Sequence, residues 1–362
     1  MRTVLMALAT AAMLTTTAAG GKSWDNVRVK GDLRYRHEVI DNEGKDARYR
    51  HRLRARVGIE ANVSVTTKIG LQLATGSDDP VSTNQTLDNG FSTKNLMLDL
   101  VYFEMKYEAV PGLKIKGGKF KNPFFKTGKS ELLWDSDGNP EGGAATFQRD
   151  FQNLSLTLIG AGLWIEERSS NDDSWLAAGQ GMLRYHLNEK KSSVAVGGGF
   201  YNYVNTAGFE PFFDPEEPMG NTVDDSGRYV NDYELIELFT EITHKFNDIP
   251  VVVMGDYVTN TAADSLDNGW LVGIRVGKTK KPGSWAFRYI YREVEKDAVV
   301  GTFTDSDFRG GGTDAKGHEI GGAVQLAKNT AFKATYFINT IGLDKNGSNF
   351  NRLQVDLQLK FK

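Results

Sequence analysis

Arginine recurs at every second position of one short stretch, RYRHRLRARVGIEANV, which spans residues 48–63. Side chains alternate between the two faces of an extended chain, so these arginines would share one face of a β-strand. A guanidinium group keeps its positive charge and carries five hydrogen-bond donors. The chemistry that such a row predicts is the attraction of anions.

The preceding segment, VRVKGDLRYRHEV, adds basic residues that also fall on one face. Paired as a hairpin, the two segments would form a wall of guanidinium groups. This wall would line a water-filled channel, or it would be the solvated outer face of a soluble sheet, and the hairpin alone leaves both interpretations open. The candidate pore-lining residues are Arg34, Arg36, Arg48, Arg50, Arg52, Arg54 and Arg56.

Motifs for catalysis or metal binding are incomplete. Gly128-Lys129-Ser130 resembles the end of a phosphate-binding loop, but Pro123 stands where that loop needs glycine. Residues 135–139 resemble the start of a calcium loop, but Pro140 replaces the required glycine. The five histidines show no metal-ligand spacing. We therefore predict no enzyme, no metal and no other cofactor; a membrane-embedded hydrolase stays an alternative without a recognisable nucleophile motif.

The elements that would position the arginines are alternating segments joined by turns and loops. The last of them, RLQVDLQLKF at residues 352–361, has apolar residues at every second position and polar residues between. Counting these segments predicts an all-β fold of about 16 strands, an even number that returns both termini to one side. Short turns alternate with longer polar loops, as in outer-membrane barrels. We predict one transmembrane antiparallel β-barrel over residues 21–362.

The N-terminal residues have the pattern of an export signal. MRTVLMALATAAMLTTTAAGG contains one basic residue, a short apolar run and then small residues, which is typical of a secretory signal peptide. We predict this peptide over residues 1–20, with cleavage near Ala19 or Gly20. Its removal takes Arg2 from the 43 basic residues and leaves 42 against 46 acidic residues, a formal net charge of -4. A net charge that is small and negative predicts no nucleic-acid partner.

Two features favour a membrane barrel over a soluble sheet. The face opposite the arginines is apolar over about ten residues, roughly the length of a tilted spanning strand. Aromatic residues cluster on or at the ends of apolar faces, as in interfacial girdles; they include Trp164, Trp175, Trp270, Trp285, Phe287, Tyr289 and Tyr291. A soluble secreted β-sandwich or carbohydrate-binding module is the main alternative. A surface protein that anchors the outer membrane without conducting is a second.

Several segments between residues 48 and 142 carry a family resemblance. They are RLRARVGIEA, LATGSDDPVSTNQTLDNGFSTKN, LDLVYFEMKY, GGKFKNPFF and LLWDSDGNPEGG, in that order. Together they resemble the putative-porin family of Gram-negative outer membranes, and GGKFKNPF with the arginine-rich strand is similar to the phosphate-selective porins. The resemblance implies a sixteen-stranded, homotrimeric pore for passive diffusion of small hydrophilic solutes and ions, located in the cell outer membrane. Such barrels usually end on an aromatic residue, whereas here Phe361 is followed by Lys362.

The same resemblance implies a constriction. In sixteen-stranded porins the loop after the fifth strand folds into the lumen, and here that loop is predicted at residues 122–143. We expect its acidic residues to face the arginine wall, where low-dielectric walls focus the field and charge sets ion preference. A surface loop is the alternative. The candidate constriction residues are Lys121, Lys126, Lys129, Glu131, Asp135, Asp137 and Glu141.

The longest loop, residues 205–232, is predominantly acidic. It would bind divalent cations beside lipopolysaccharide, or it would only be solvated. We expect outer-membrane lipid and lipopolysaccharide as partners, together with the solutes or anions that pass.

Overall fold

A computed structural model describes residues 26–187 and 191–361. The predicted signal peptide and the trailing Lys362 lie outside these residues. In the described part of the chain, no helix is long and apolar enough to cross a membrane.

Almost all regular structure in the described residues is β-strand. The strands are β1 Val27–Asn42, β2 Arg48–Asn62, β3 Thr67–Thr75, β4 Gln85–Thr86, β5 Leu96–Lys106, β6 Leu113–Lys119, β7 Glu141–Asp150, β8 Leu154–Glu166, β9 Ser174–Leu187, β10 Ser192–Val204, β11 Tyr233–Phe246, β12 Ile249–Asn260, β13 Asn268–Gly277, β14 Trp285–Val294, β15 Ala315–Ala327, β16 Thr330–Ile341 and β17 Ser348–Phe361. Two short 3-10 turns lie at Thr127–Lys129 and Gly301–Phe303.

The sheet closes on itself because β1 pairs antiparallel with both β2 and β17. All strands except β4 form the wall, and each pairs with its neighbours in chain order. The predicted sixteen-stranded antiparallel barrel is therefore confirmed. The two-residue β4 takes a different place: it pairs with Arg52 and Leu53 of β2, beyond the point where β3 has ended.

The two ends of the barrel differ as the sequence predicted. One end carries short connections such as Asn247-Asp248, where both residues have positive φ, the backbone of a two-residue hairpin turn. The other end carries the loops of residues 76–95, 120–140, 205–232 and 295–314. Loop length therefore marks one mouth of the barrel as the extracellular one.

The apolar faces of the strands point outward. On β17, Arg352 and Asp356 are buried inside, while Leu357 and Leu359 lie on the exposed outer face. On β2, Arg54 is buried and Val57 and Ile59 are exposed. An uncovered outer face with large apolar side chains fits lipid as its surroundings, so the face assignment of the sequence pattern is confirmed.

The interior is polar on one side and apolar on the other. Inward side chains of β8–β14 pack with the loops at 120–140, 205–232 and 295–314 into one buried cluster. Its largest members include Phe124, Trp134, Tyr201, Tyr233 and Leu271. The lumen is therefore not uniformly filled with water, because three long loops return into the barrel and pack against the inner faces of β8–β14.

Candidate functional site

A row of arginines lines the inner face of β1, β2 and β17. The register places Arg34 opposite Arg54 and Arg36 opposite Arg52, while β17 brings Arg352 to the other side of β1. Period-two alternation puts all of them on the lumenal face. We call this set the arginine wall; it comprises Arg34, Arg36, Arg50, Arg52, Arg54, Arg56 and Arg352.

Carboxylates on the same strands neutralise part of the wall. Glu38 accepts hydrogen bonds from Arg50 Nε at 2.7 Å and from Arg352 Nε at 2.9 Å. Asp356 binds Arg36 through both of its oxygens, at 2.7 and 3.0 Å. Such charge-assisted and bidentate pairs fix the guanidinium planes against the barrel wall.

Asp137 of the loop at residues 120–140, the β6–β7 loop, contacts the wall directly. Its carboxylate lies 3.5 Å from Arg54 Nη1 and 3.3 Å from Arg56 Nη1, and Asp32 of β1 bridges the same two arginines. Burial alone would raise the pKa of Asp137, but Arg54 and Arg56 lower it to about 2. The predicted meeting of loop and arginines therefore occurs at Asp137 as ion pairing.

A second loop, residues 295–314 between β14 and β15, reaches the wall from the other side. Its Asp307 lies 3.3 Å from Arg36 Nη1 and 2.8 Å from Arg352 Nη2. Burial would raise the pKa of Asp307, but Arg352 and Arg36 hold it well below its ordinary range. The β14–β15 loop was not anticipated from the sequence as part of the site.

Other predicted residues lie elsewhere. Arg48 is exposed near the long-loop mouth. The prediction for Glu141 was wrong: β7 already begins there, and its side chain pairs with Lys119 at 2.8 Å. The β6–β7 loop therefore ends at residue 140, not 143, because residues 141–143 already pair with β6 and β8.

The three predicted loop lysines do not share one role. Lys126 donates to Ser136 Oγ at 2.8 Å within its own loop. The backbone oxygen of Lys129 accepts from Arg288 at 3.2 Å. Burial lowers the pKa of Lys121. Lys121 also contributes to lowering the pKa of Asp137.

Among the described residues, Glu131 and Asp135 form no ion pair with the arginine wall, contrary to the expectation that they face it. They meet Asp305 of the β14–β15 loop, with one oxygen of each carboxylate within 4.8 Å of the others. Burial first, and then the neighbouring Glu131 carboxylate, raise the pKa of Asp135 well above its ordinary value. The cluster joins the two inward loops, and sequence spacing could not reveal it because its members lie on separate loops.

The β6–β7 loop is also fixed to the opposite wall. The backbone N–H of Gly128 donates to Glu241 of β11 at 3.0 Å, and Arg275 of β13 donates to the oxygen of Gly128 at 3.2 Å. Nearer its start, the N–H of Phe125 donates to Gln180 of β9 at 2.7 Å. The loop therefore spans the lumen from the arginine wall to β9–β13.

Comparison with known families decides the identity. A family model described as putative porin matches residues 34–222 and 221–361. The chain belongs to the putative-porin family. It is an outer-membrane porin, a channel protein of the Gram-negative outer membrane. No curated protein matches it.

Solved porins share the fold at low sequence identity. OmpF of Salmonella typhi in complex with daunomycin is 12% identical, with a TM-score of 0.55 over 93% of this chain and 98% of that chain. OprB of Pseudomonas putida is 10% identical, with a TM-score of 0.58 over 93% and 94%. OmpT of Vibrio cholerae is 14% identical, with a TM-score of 0.52 over 95% and 100%. The porin thus has the same barrel architecture as these proteins, whereas its residues differ from theirs at most positions.

Some members of the site could have been found from the porin's sequence. Asp32 and Glu38 have the same parity as Arg34 and Arg36 on β1, so period two alone places all four on one face. Asp307 offers no such signal, because it lies in an irregular loop far along the chain.

The conductance of the porin is expected to depend on pH through Glu131. Burial first, and then the Asp305 carboxylate, raise the pKa of Glu131 from 4.5 to about 7. Between these two values the folded state binds more protons than the unfolded chain, so the docking of the two inward loops weakens as pH rises through the window. Single-channel recordings should show larger and noisier conductance above about pH 7 than below about pH 4.5.

Glu131→Gln should remove this pH difference, because it keeps the side chain neutral. Glu216→Gln, at an exposed position in the loop of residues 205–232, is the matched control and should retain it. If the Glu131→Gln channel kept the pH response of the unmodified porin, Glu131 would not be the residue that causes it.

Proposed function

We propose that this porin allows small hydrophilic solutes and ions to diffuse passively through its lumen and that it prefers anions. The observation that carries the proposal is the excess of positive charge on one inner wall. Seven arginines line that wall, and five carboxylates neutralise them in part: Asp32, Glu38, Asp137, Asp307 and Asp356. A low-dielectric wall focuses the remaining field onto the permeating ion.

The constriction in this proposal is formed by two loops. The β6–β7 loop brings Asp137 to the wall and crosses the lumen, and the β14–β15 loop brings Asp307. Lining charges at a narrow point set ion preference more strongly than charges at the mouth. We therefore assign the pore-lining role to the arginine wall and the narrowing to these two loops, and we propose conduction without catalysis.

Replacing Arg50, Arg52 and Arg54 together by alanine should shift the reversal potential in a salt gradient towards cations. Three positive charges disappear from the lumen, while the carboxylates they faced remain. Planar-bilayer recording with unequal KCl on the two sides measures the shift.

The matched control removes three positive charges outside the lumen. Lys278, Lys280 and Lys281 lie exposed on the short β13–β14 connection, and their replacement by alanine should leave the reversal potential close to that of the unmodified porin. An unmodified porin without channel activity would contradict the proposed function as a whole. An unchanged potential in the arginine variant would contradict the anion preference alone.

We also infer that the porin is a homotrimer, an inference supported by its family resemblance. Cross-linking of the detergent-solubilised protein should give a species of three chains. A monomer at all cross-linker concentrations would overturn this inference. Lipopolysaccharide as a partner of the acidic long loops stays a prediction.

A further inference from the structure

Two guanidinium groups of the arginine wall form no ion pair with a carboxylate of residues 26–187 or 191–361. Arg36, Arg50, Arg54, Arg56 and Arg352 each pair with at least one carboxylate. Among the described residues, Arg34 and Arg52 have no carboxylate oxygen within the 4.0 Å of an ion pair. The seven arginines minus the five carboxylates of the wall leave the same excess of two charges.

Arg34 and Arg52 are joined through neutral side chains. Arg34 Nη2 donates to Asn84 Oδ1, and Arg52 Nη2 lies 3.5 Å from Ser82 Oγ. Asn84 and Ser82 are themselves hydrogen-bonded at 3.2 Å. These four side chains form one polar cluster on the inner wall, held in place because β4 pairs with β2 and returns the loop at residues 76–95 to this face.

Both arginines keep a donor without an acceptor. The Nε atoms of Arg34 and Arg52 are buried and have no hydrogen-bond partner within the described part of the chain, and Arg34 as a whole is only 8% exposed. Asp79 of that loop lines the same cavity as Arg52, but it forms no ion pair with Arg52 and instead accepts from Val81 N at 2.9 Å. Unpaired donors on buried charges are costly unless something supplies the missing acceptor and countercharge.

An anion from solution can reach this cluster. A first cavity of about 590 Å³ meets the cluster at Ser82, but five carboxylates and one lysine line it, so it does not favour an anion. A second, polar cavity of about 710 Å³ meets the cluster at Arg52 and Ser82. Six basic side chains line this second cavity against four acidic ones: Lys45, Arg48, Arg50, Arg52, Arg309 and Arg352 against Asp46, Asp79, Glu217 and Asp307. Of these side chains, Lys45 lies near the long-loop mouth. An anion that enters from outside would therefore meet a cavity lining with a small excess of positive charge before it reaches Arg52.

We propose that Arg34, Arg52, Ser82 and Asn84 form a binding site for a doubly charged oxyanion inside the lumen. Two unpaired guanidinium charges match two negative charges, and the terminal N–H groups of both guanidinium groups, the serine hydroxyl and the asparagine amide provide donors for several oxygens. The inference deepens the proposed anion preference and rests on it: the preference acts through a discrete site, whereas the other five arginines are already neutralised within the protein.

Sulfate is the probe, since it keeps both charges over the whole neutral range. Titration calorimetry on the detergent-solubilised porin should show saturable sulfate binding, and added sulfate should block chloride current through single channels to a limiting value. Asn84→Asp supplies an internal carboxylate beside Arg34 without removing an arginine. It should weaken sulfate binding by about tenfold or more, because the new carboxylate neutralises Arg34 and repels the anion. Arg52→Gln should have a similar effect, because it removes a charge-assisted interaction.

Arg184→Gln is the matched control. Arg184 of β9 lies across the barrel and is already paired with Glu241 at 3.4 Å, so its loss should leave sulfate affinity unchanged. The proposed site would be overturned if the unmodified porin showed no saturable sulfate binding. It would also be overturned if the Asn84→Asp variant bound sulfate as tightly as the unmodified porin. Because calorimetry needs no conduction, a failure of the channel proposal stays distinguishable from a failure of this site.

Discussion

Replacing Glu38 by glutamine is expected to lower the free energy of unfolding by about 3–5 kcal/mol, the usual cost of removing one partner from a buried ion-pair network. The Glu38 side chain is fully buried. It binds Arg50 and Arg352, and Gln354 Nε2 donates to the same carboxylate at 3.2 Å. Its neutralisation would leave Arg50 of β2 and Arg352 of β17 without their main countercharge, where β1 pairs with both of these strands.

The measurement is reversible urea unfolding of the protein in lipid vesicles. Asp88→Asn is the control, because Asp88 pairs with Lys94 on an exposed loop with its side chain 51% accessible, and exposed pairs contribute about 0–1 kcal/mol. Equal losses for the two variants would contradict the special role of Glu38. A selective loss in Glu38→Gln would place the network at the closing seam among the main stabilising interactions.

Replacing Trp134 by alanine is expected to release the β6–β7 loop from the lumen and to increase single-channel conductance severalfold. Trp134 is buried in the apolar cluster, where its ring packs against Phe124, Tyr203 and Phe303 at centroid distances of 6.1–6.3 Å. Truncation of a buried tryptophan to alanine costs about 3–5 kcal/mol. In this chain the cost falls on loop docking, since the sixteen strands pair without this side chain.

Single-channel recording tests this expectation, and limited proteolysis should cut the released loop first. Trp285→Ala is the control. Trp285 is 47% exposed on the outer face near the short-turn end, so the conductance of this variant should equal that of the unmodified porin. Unchanged conductance in Trp134→Ala, with the barrel still folded by its mobility on a gel, would show that the loop does not limit the current.

The barrel and the orientation of its faces followed from the sequence because both depend on local alternation. Residues 352–361 and 48–62 alternate with period two, so each strand carries its inner and outer faces in its own residues. The even strand count and the unequal loops then decided the architecture. The arginine wall was predictable for the same reason, since parity assigns Arg34, Arg52 and Arg54 to one side.

The state of those arginines was decided only by the tertiary structure. Closure of β1 against β17 brings Asp356 to Arg36, and the return of the β14–β15 loop brings Asp307 to the same guanidinium group. These partners lie hundreds of residues apart, so no local pattern encodes which charges are neutralised. The sequence by itself therefore determined that a cationic wall lines the barrel. Only the closed barrel and its inward loops decided that, in the part of the chain that the structure describes, Arg34 and Arg52 are the members of the wall without an ion-paired carboxylate.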